Sequence, residues 1–126
     1  MISFILMILA GICNAIMDVL QFKFNGSIFR FCKNLQWVDP SKSSKNKWKY
    51  DENGIWTGKE KFFGSTTFLV WLTDLWHFCK FLMLLFIMCA VIFYTPIIVW
   101  WADILIMYCA FTIIFELFYS KIFIKP

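Results

Sequence analysis

The sequence predicts an all-α integral membrane protein of three transmembrane helices, and three observations carry that prediction. The first is composition: the 126 residues are 61% hydrophobic and 21% aromatic but only 16% charged, with a mean hydropathy of +0.71. A soluble domain is nearer about 45–50% apolar and about 25% charged. A single domain of 15.1 kDa has too small an interior to hide so much Phe, Leu, Ile and Trp from water, so the solvent must be lipid. The second observation is that the apolar residues form runs long enough to cross a bilayer. The third is that the charges are segregated, mostly in one segment between the apolar runs. Ordinary soluble enzymes, disordered chains and disulfide scaffolds are excluded by these features, and the whole of residues 1–126 reads as one membrane domain.

The first helix is expected over residues 2–22, where Ser3, Asn14, Asp18 and Gln21 interrupt an otherwise apolar run. At 1.5 Å per residue this reaches roughly 31 Å, the thickness of the hydrocarbon core. The run has no positive leading segment and no A-x-A site, so it reads as a permanent helix rather than a cleaved signal. A second apolar region, from Thr66 to Pro126, is too long for one crossing. Thr95-Pro96 is the natural break, because proline removes a donor and disfavours helix at the residue before it. Helices are thus expected over about residues 66–94 and 97–119. The first of these would be roughly 43 Å long, which puts its opening turns at headgroup level.

Nine of the twelve basic residues lie between Lys23 and Lys61, against four acids, a local net charge of +5. Positive loops stay on the cytoplasmic side, so the 23–65 segment is expected to be cytoplasmic, with the N-terminus outside and the C-terminus inside. A bacterial inner membrane is the expected location. Within the loop, Ile28, Phe29, Phe31, Cys32, Leu35 and Trp37 interleave with Arg30, Lys33 and Asn34 as in a short interfacial helix, which Pro40 ends. Residues 41–46 are polar and expected to be mobile. Beyond them Lys47, Trp48, Lys49, Tyr50 and Trp56 surround a turn at Asn53-Gly54. Aromatics alternating with lysines next to a membrane read as headgroup anchors, with Arg30 and Trp37 in the same role, rather than as a stacking surface for nucleic acid.

Polar groups inside lipid are costly, so their positions carry the most information. Ser3, Asn14, Asp18 and Gln21 share one face of the first helix, flanked by Gly11 and Ala15 in a spacing that permits close helix approach. Thr73, His77 and Lys80 share a face of the second, with Asp74 beside them. Tyr108, Thr112, Glu116 and Tyr119 make a stripe on the third. With the assigned orientation, Asn14, Asp18, Asp74, His77, Lys80 and Glu116 converge near the inner leaflet as a candidate polar site. Such a set suits proton transfer, a hard cation or a lipid phosphate; it equally suits structural ion pairs such as Asp18–Lys80 and Asp74–His77, or interfacial charges snorkelling into water.

Other chemistry is scarce. One histidine excludes H-E-x-x-H and any multi-His zinc site in one chain. The five cysteines (Cys13, Cys32, Cys79, Cys89, Cys109) form no C-x-x-C and read as small hydrophobes. No cofactor is implied, and the expected partners are membrane lipid and a second copy or another membrane protein. The stretches GICNAIMD (residues 11–18), KWKY (47–50), FFGSTTFLVWLTDLWH (62–77) and FELFYSK (115–121) together resemble a group of small uncharacterised membrane proteins of bacteria and their phages. That resemblance implies an integral membrane protein and no particular chemistry. Three functions follow in order: assembly with itself or a partner through the polar seam, a phage-type holin, and an inner-leaflet lipid-modifying enzyme using Asp18, Asp74, His77 and Glu116. The long middle loop and the short basic tail are unlike a holin.

Overall fold

The computed structural model describes residues 1–125. It is mostly helical, and three of its helices are long and apolar enough to cross a membrane. These are α1 (Ile2–Phe22), α4 (Leu75–Ile92) and α5 (Trp100–Leu117), the last continued by a π-helical turn at Phe118–Ile122. Between α1 and α4 the chain forms two short helices, α2 (Leu35–Val38) and α3 (Ser43–Lys47), and a small antiparallel hairpin of β1 (Trp48–Tyr50) and β2 (Trp56–Glu60).

Helix α1 is the centre of the bundle. It packs extensively on both α4 and α5, and 39% of its most apolar window is buried, against 11% in α4 and 6% in α5. In lipid no water is released when helices meet, so close packing of small residues must supply the attraction. Ala10, Gly11 and Ala15 provide it, with both alanines wholly buried. A Cβ on Gly11 would sit 2.8 Å from the Phe111 carbonyl oxygen, so this glycine sets how near α5 can approach. On the α4 side, Cys13, Met17 and Cys79 make one buried cluster with Leu75, Trp76 and Leu82.

The ends of the bundle are tied differently. At one end Ser3 Oγ donates to the Phe93 carbonyl at 3.0 Å, holding the start of α1 against the end of α4. At the other, the C-terminal segment pairs with the first loop: the Ile28 amide donates to Phe123 O (3.0 Å) and the Lys125 amide to Gly26 O (2.9 Å). Phe29 and Phe123, with ring centroids 5.1 Å apart, join Ala15, Val19, Leu20 and Val38 in a core at this junction. The apolar loop residues therefore fold onto the bundle end as well as facing outward.

Four expectations are corrected. The second helix begins at Leu75, not near residue 66, because Asp74 caps it: its carboxylate accepts from the His77 amide at 2.9 Å. Asp is among the best N-cap residues, and the preceding apolar run is taken up by turns from Gly64 (φ +77°) to Thr73. The third helix starts at Trp100 rather than residue 97 and runs on through the π-helical turn to Ile122; Asp103 accepts from the Ile97 (2.8 Å) and Ile98 (3.2 Å) amides and from the Tyr94 hydroxyl (2.9 Å), which keeps those residues out of the helix. Residues 41–46, expected to be polar and mobile, lie in helical turns, Pro40–Lys42 and Ser43–Lys47. Asp39 accepts from the Ser41 amide at 2.9 Å, with Pro40 supplying a preset φ, and Asn46 and Gln36 bond reciprocally at 2.7 Å. Finally, the fold is not purely helical: the alternation of Trp48, Lys49 and Tyr50 before Asn53-Gly54 is a strand pattern, and Gly54 takes the positive φ (+76°) that the turn needs.

Gly11→Leu is expected to lower stability in detergent by about 2 kcal/mol or more, since the obstructing atom is backbone. Gly26→Ala, where nothing lies within 4 Å, should be close to neutral. Thermal unfolding of the two variants beside the parent checks this.

Candidate functional site at the start of α4

Most side chains of so apolar a helix have nothing polar to meet; the first turn of α4 is different. Asp74 is 3% exposed and is surrounded by donors. Beyond its cap bond to the His77 amide, Oδ1 accepts from the His77 ring at Nδ1 (2.7 Å), and Oδ2 accepts from Ser43 Oγ (2.6 Å) and Thr73 Oγ1 (3.2 Å). Ser43 opens α3, so one carboxylate joins the loop to the membrane helix. The other ring nitrogen, Nε2, lies 3.0 Å from Lys47 Nζ. An ammonium has no lone pair, so Nε2 must accept, and the neutral ring then carries its proton on Nδ1, facing Asp74. The result is a chain Ser43–Asp74–His77–Lys47 in which every polar atom has a partner.

The electrostatics follow from this wiring. Burial alone would raise the Asp74 pKa, but the bonds from the His77 ring, the Ser43 hydroxyl and the His77 amide outweigh it and hold it down at about 2, against 3.8. Glu60, at the end of β2, is similarly engaged: it accepts from the Thr66 hydroxyl and the Gly64 amide (2.9 Å), and these bonds lower its pKa too. Both carboxylates near this end of α4 are thus occupied internally.

Beside the chain lies a cavity of about 570 Å³. Its polar wall is Lys47, His77, Lys80 and Thr66, and its apolar wall includes Trp48, Trp71, Phe81 and Leu84. The Trp71 and Phe81 rings stack at 4.9 Å, and Lys80 Nζ lies 5.2 Å from the Trp76 ring.

Of the six residues expected to converge, Asp74 and His77 meet and Lys80 lines the adjoining cavity. Asn14 and Asp18 are half-buried on α1, and neither hydrogen-bonds to that group. The Asp74–His77 contact, with the ring neutral, is a hydrogen bond, and no Asp18–Lys80 ion pair forms among the described residues. Glu116 is exposed on the outer side of α5, bonded to Ser120 of its own helix. Tyr119 instead turns inward, with Lys23 Nζ 3.7 Å above its ring. No group of three or more His, Cys, Asp or Glu among the described residues is arranged to hold a metal.

The surface anchors divide as well. Trp37 is half-buried, its Nε1 donating to Leu72 O at 3.3 Å, and Lys47 belongs to the polar chain. Trp48 and Trp56 meet edge to face at 5.5 Å, and Tyr50 pairs with Ser44 at 2.6 Å. Arg30, Lys49 and Trp56 remain exposed. Ser43 was missed by the sequence reading altogether; no local spacing links residue 43 to residue 74.

Asp74→Ala should cost about 1–3 kcal/mol, by loss of the cap and of partners for Ser43 and His77. The pH dependence has a defined sign. A carboxylate with a depressed folded pKa contributes stability that is complete above its unfolded value, 3.8, and is lost as pH falls through about 2. Acid titration of unfolding should therefore show a loss across that window, and Asp74→Asn, which retains a cap oxygen, should flatten it.

No protein-family model, no curated protein and no solved structure matches this chain.

Proposed function

We propose that this chain is a non-enzymatic membrane protein that assembles with a second copy of itself through the outward face of α5, with the 23–74 segment at the cytoplasmic surface. The observation carrying this reading is the position of Glu116. It lies inside the third candidate span, Trp100–Ile122, and is exposed, as are Ile113, Leu117 and Lys121 beside it. A carboxylate facing acyl chains is expensive and is normally satisfied by another protein surface. Thr112, Ile113, Glu116, Leu117, Ser120 and Lys121 line a furrow of about 420 Å³ along this face. The furrow carries both an acid and a base, so a two-fold partner offers each copy the opposite charge.

Orientation rests on charge. All twelve Lys and Arg fall in the loop, the early turns of α4, or the segment following α5, which belong to the end of the bundle where residues 26–28 pair with 123–125. The opposite end, with the 93–99 turn, has none. The positive-inside rule then favours a cytoplasmic loop and C-terminus. An enzyme built on Asp18, Asp74, His77 and Glu116 is less well supported, since only Asp74 and His77 are in contact.

The test is oligomeric state in a lipid bilayer, by single-molecule photobleaching. The parent chain should be at least dimeric, and Glu116→Leu with Ser120→Ala should raise the dissociation constant roughly three- to thirtyfold. Asp18→Asn should leave it unchanged. A parent chain that stays monomeric at high protein-to-lipid ratio would defeat the reading. A reporter inserted at Asn53-Gly54 should be active in the cytoplasm, and one at the N-terminus on the other side.

A further inference from the structure

The cavity beside the Asp74–His77–Lys47 chain has the character of an amphiphile site, and we infer that it seats the phosphate of an anionic membrane lipid, with Lys47 and Lys80 as its ligands. The inference depends on membrane embedding but not on assembly through α5.

Charge is the first argument. Lys47 and Lys80 both line the cavity, and neither forms an ion pair among the described residues. The nearby carboxylates are spent: Asp74 on Ser43, Thr73 and His77, and Glu60 on Gly64 and Thr66. The cavity is therefore left cationic. Lys47 is also positioned. Asp74 holds the His77 proton on Nδ1, so Nε2 accepts a hydrogen bond from one of the three Lys47 N–H groups and leaves two for another acceptor. His77 is thus a positioning residue, orienting the cation rather than carrying charge itself.

The apolar wall decides between a lipid and a soluble phosphate. Trp71, Phe81 and Leu84 line the same cavity. From there, exposed Phe81, Leu84, Leu85 and Met88 recur at the i, i+3, i+4, i+7 spacing of one helix face, running down α4 towards the bilayer centre. A free phosphate has no use for that surface. A phospholipid does: its headgroup sits with the two lysines at the span's first turns while a chain lies along the stripe. Anionic headgroups near the cytoplasmic surface attract such lysines.

Native mass spectrometry of the full chain, released from nanodiscs containing phosphatidylglycerol and phosphatidylcholine, tests the inference. The parent should retain one phosphatidylglycerol in preference to phosphatidylcholine. Lys47→Gln with Lys80→Gln should weaken that retention by about tenfold or more. Lys49→Gln with Lys59→Gln, an equal charge change on the exposed hairpin, should not, and Lys47→Arg with Lys80→Arg should keep most of it, which separates charge recognition from misfolding. His77→Phe should weaken retention by a smaller factor. Equal loss in both Gln pairs, or no loss in either, overturns the site. Displacement of the lipid by millimolar inorganic phosphate overturns the choice of a lipid over a soluble anion.

Discussion

The architecture depends on how closely α5 can lie against α1. Lipid offers no hydrophobic drive for helices to associate, so contact must come from shape. Gly11 and Ala15 give α1 a narrow edge, and the Gly11 position faces the Phe111 backbone with no room for a methyl group. Helices α4 and α5 both use α1 as their main packing surface. That leaves their other faces, rich in Leu, Ile, Phe and Trp, exposed. The low burial of α4 and α5 would signal a broken fold in water; in a bilayer it is the ordinary outcome of a three-helix chain with one central member.

Two buried carboxylates finish what close packing begins. Asp74 and Asp103 are each 3% exposed and each stands at the start of a long apolar helix, where amide protons lack intrahelical acceptors. Asp74 caps α4 and reaches across to α3, so the boundary of the span and the position of the loop are set together. Asp103 reaches back from the first turns of α5 to gather the 97–98 amides and Tyr94, closing the tight turn around Pro96. A charged residue at either place is cheap because donors surround it. Glu116, whose one hydrogen bond among the described residues comes from Ser120, has no such set of donors, and that contrast is what directs attention to its outward face.

The polar segment is more ordered than its composition suggests. Its apolar residues are interleaved with charged and polar ones, yet Phe29 and Val38 bury against Val19, Leu20 and Phe123, and each such side chain removed from water contributes about 1.5–3 kcal/mol. Residues read from the sequence as a membrane-anchoring set thus serve two ends: some, such as Trp37 and Lys47, hold the segment to the bundle, while Arg30, Lys49 and Trp56 stay outside.

What the sequence determined by itself was that the chain carries three helices long and apolar enough to cross a membrane. Composition and run length point to helices apolar enough for lipid, and the first, Ile2–Phe22, was legible to the residue because its four polar interruptions share one face and leave the helical pattern intact. Gly11 and Ala15 were readable as a close-packing edge for the same local reason. The starts of α4 and α5 were misjudged because hydropathy does not distinguish an apolar turn from an apolar helix; the difference lies in where a carboxylate finds its amide donors. Only the tertiary structure could decide which polar faces meet. A seam at helical spacing has an angle but no partner, so Glu116 and His77 look equivalent in sequence. Folding turns one outward and brings the other between Asp74 and Lys47, because residue 47 returns to α4 through a loop whose path no local spacing encodes.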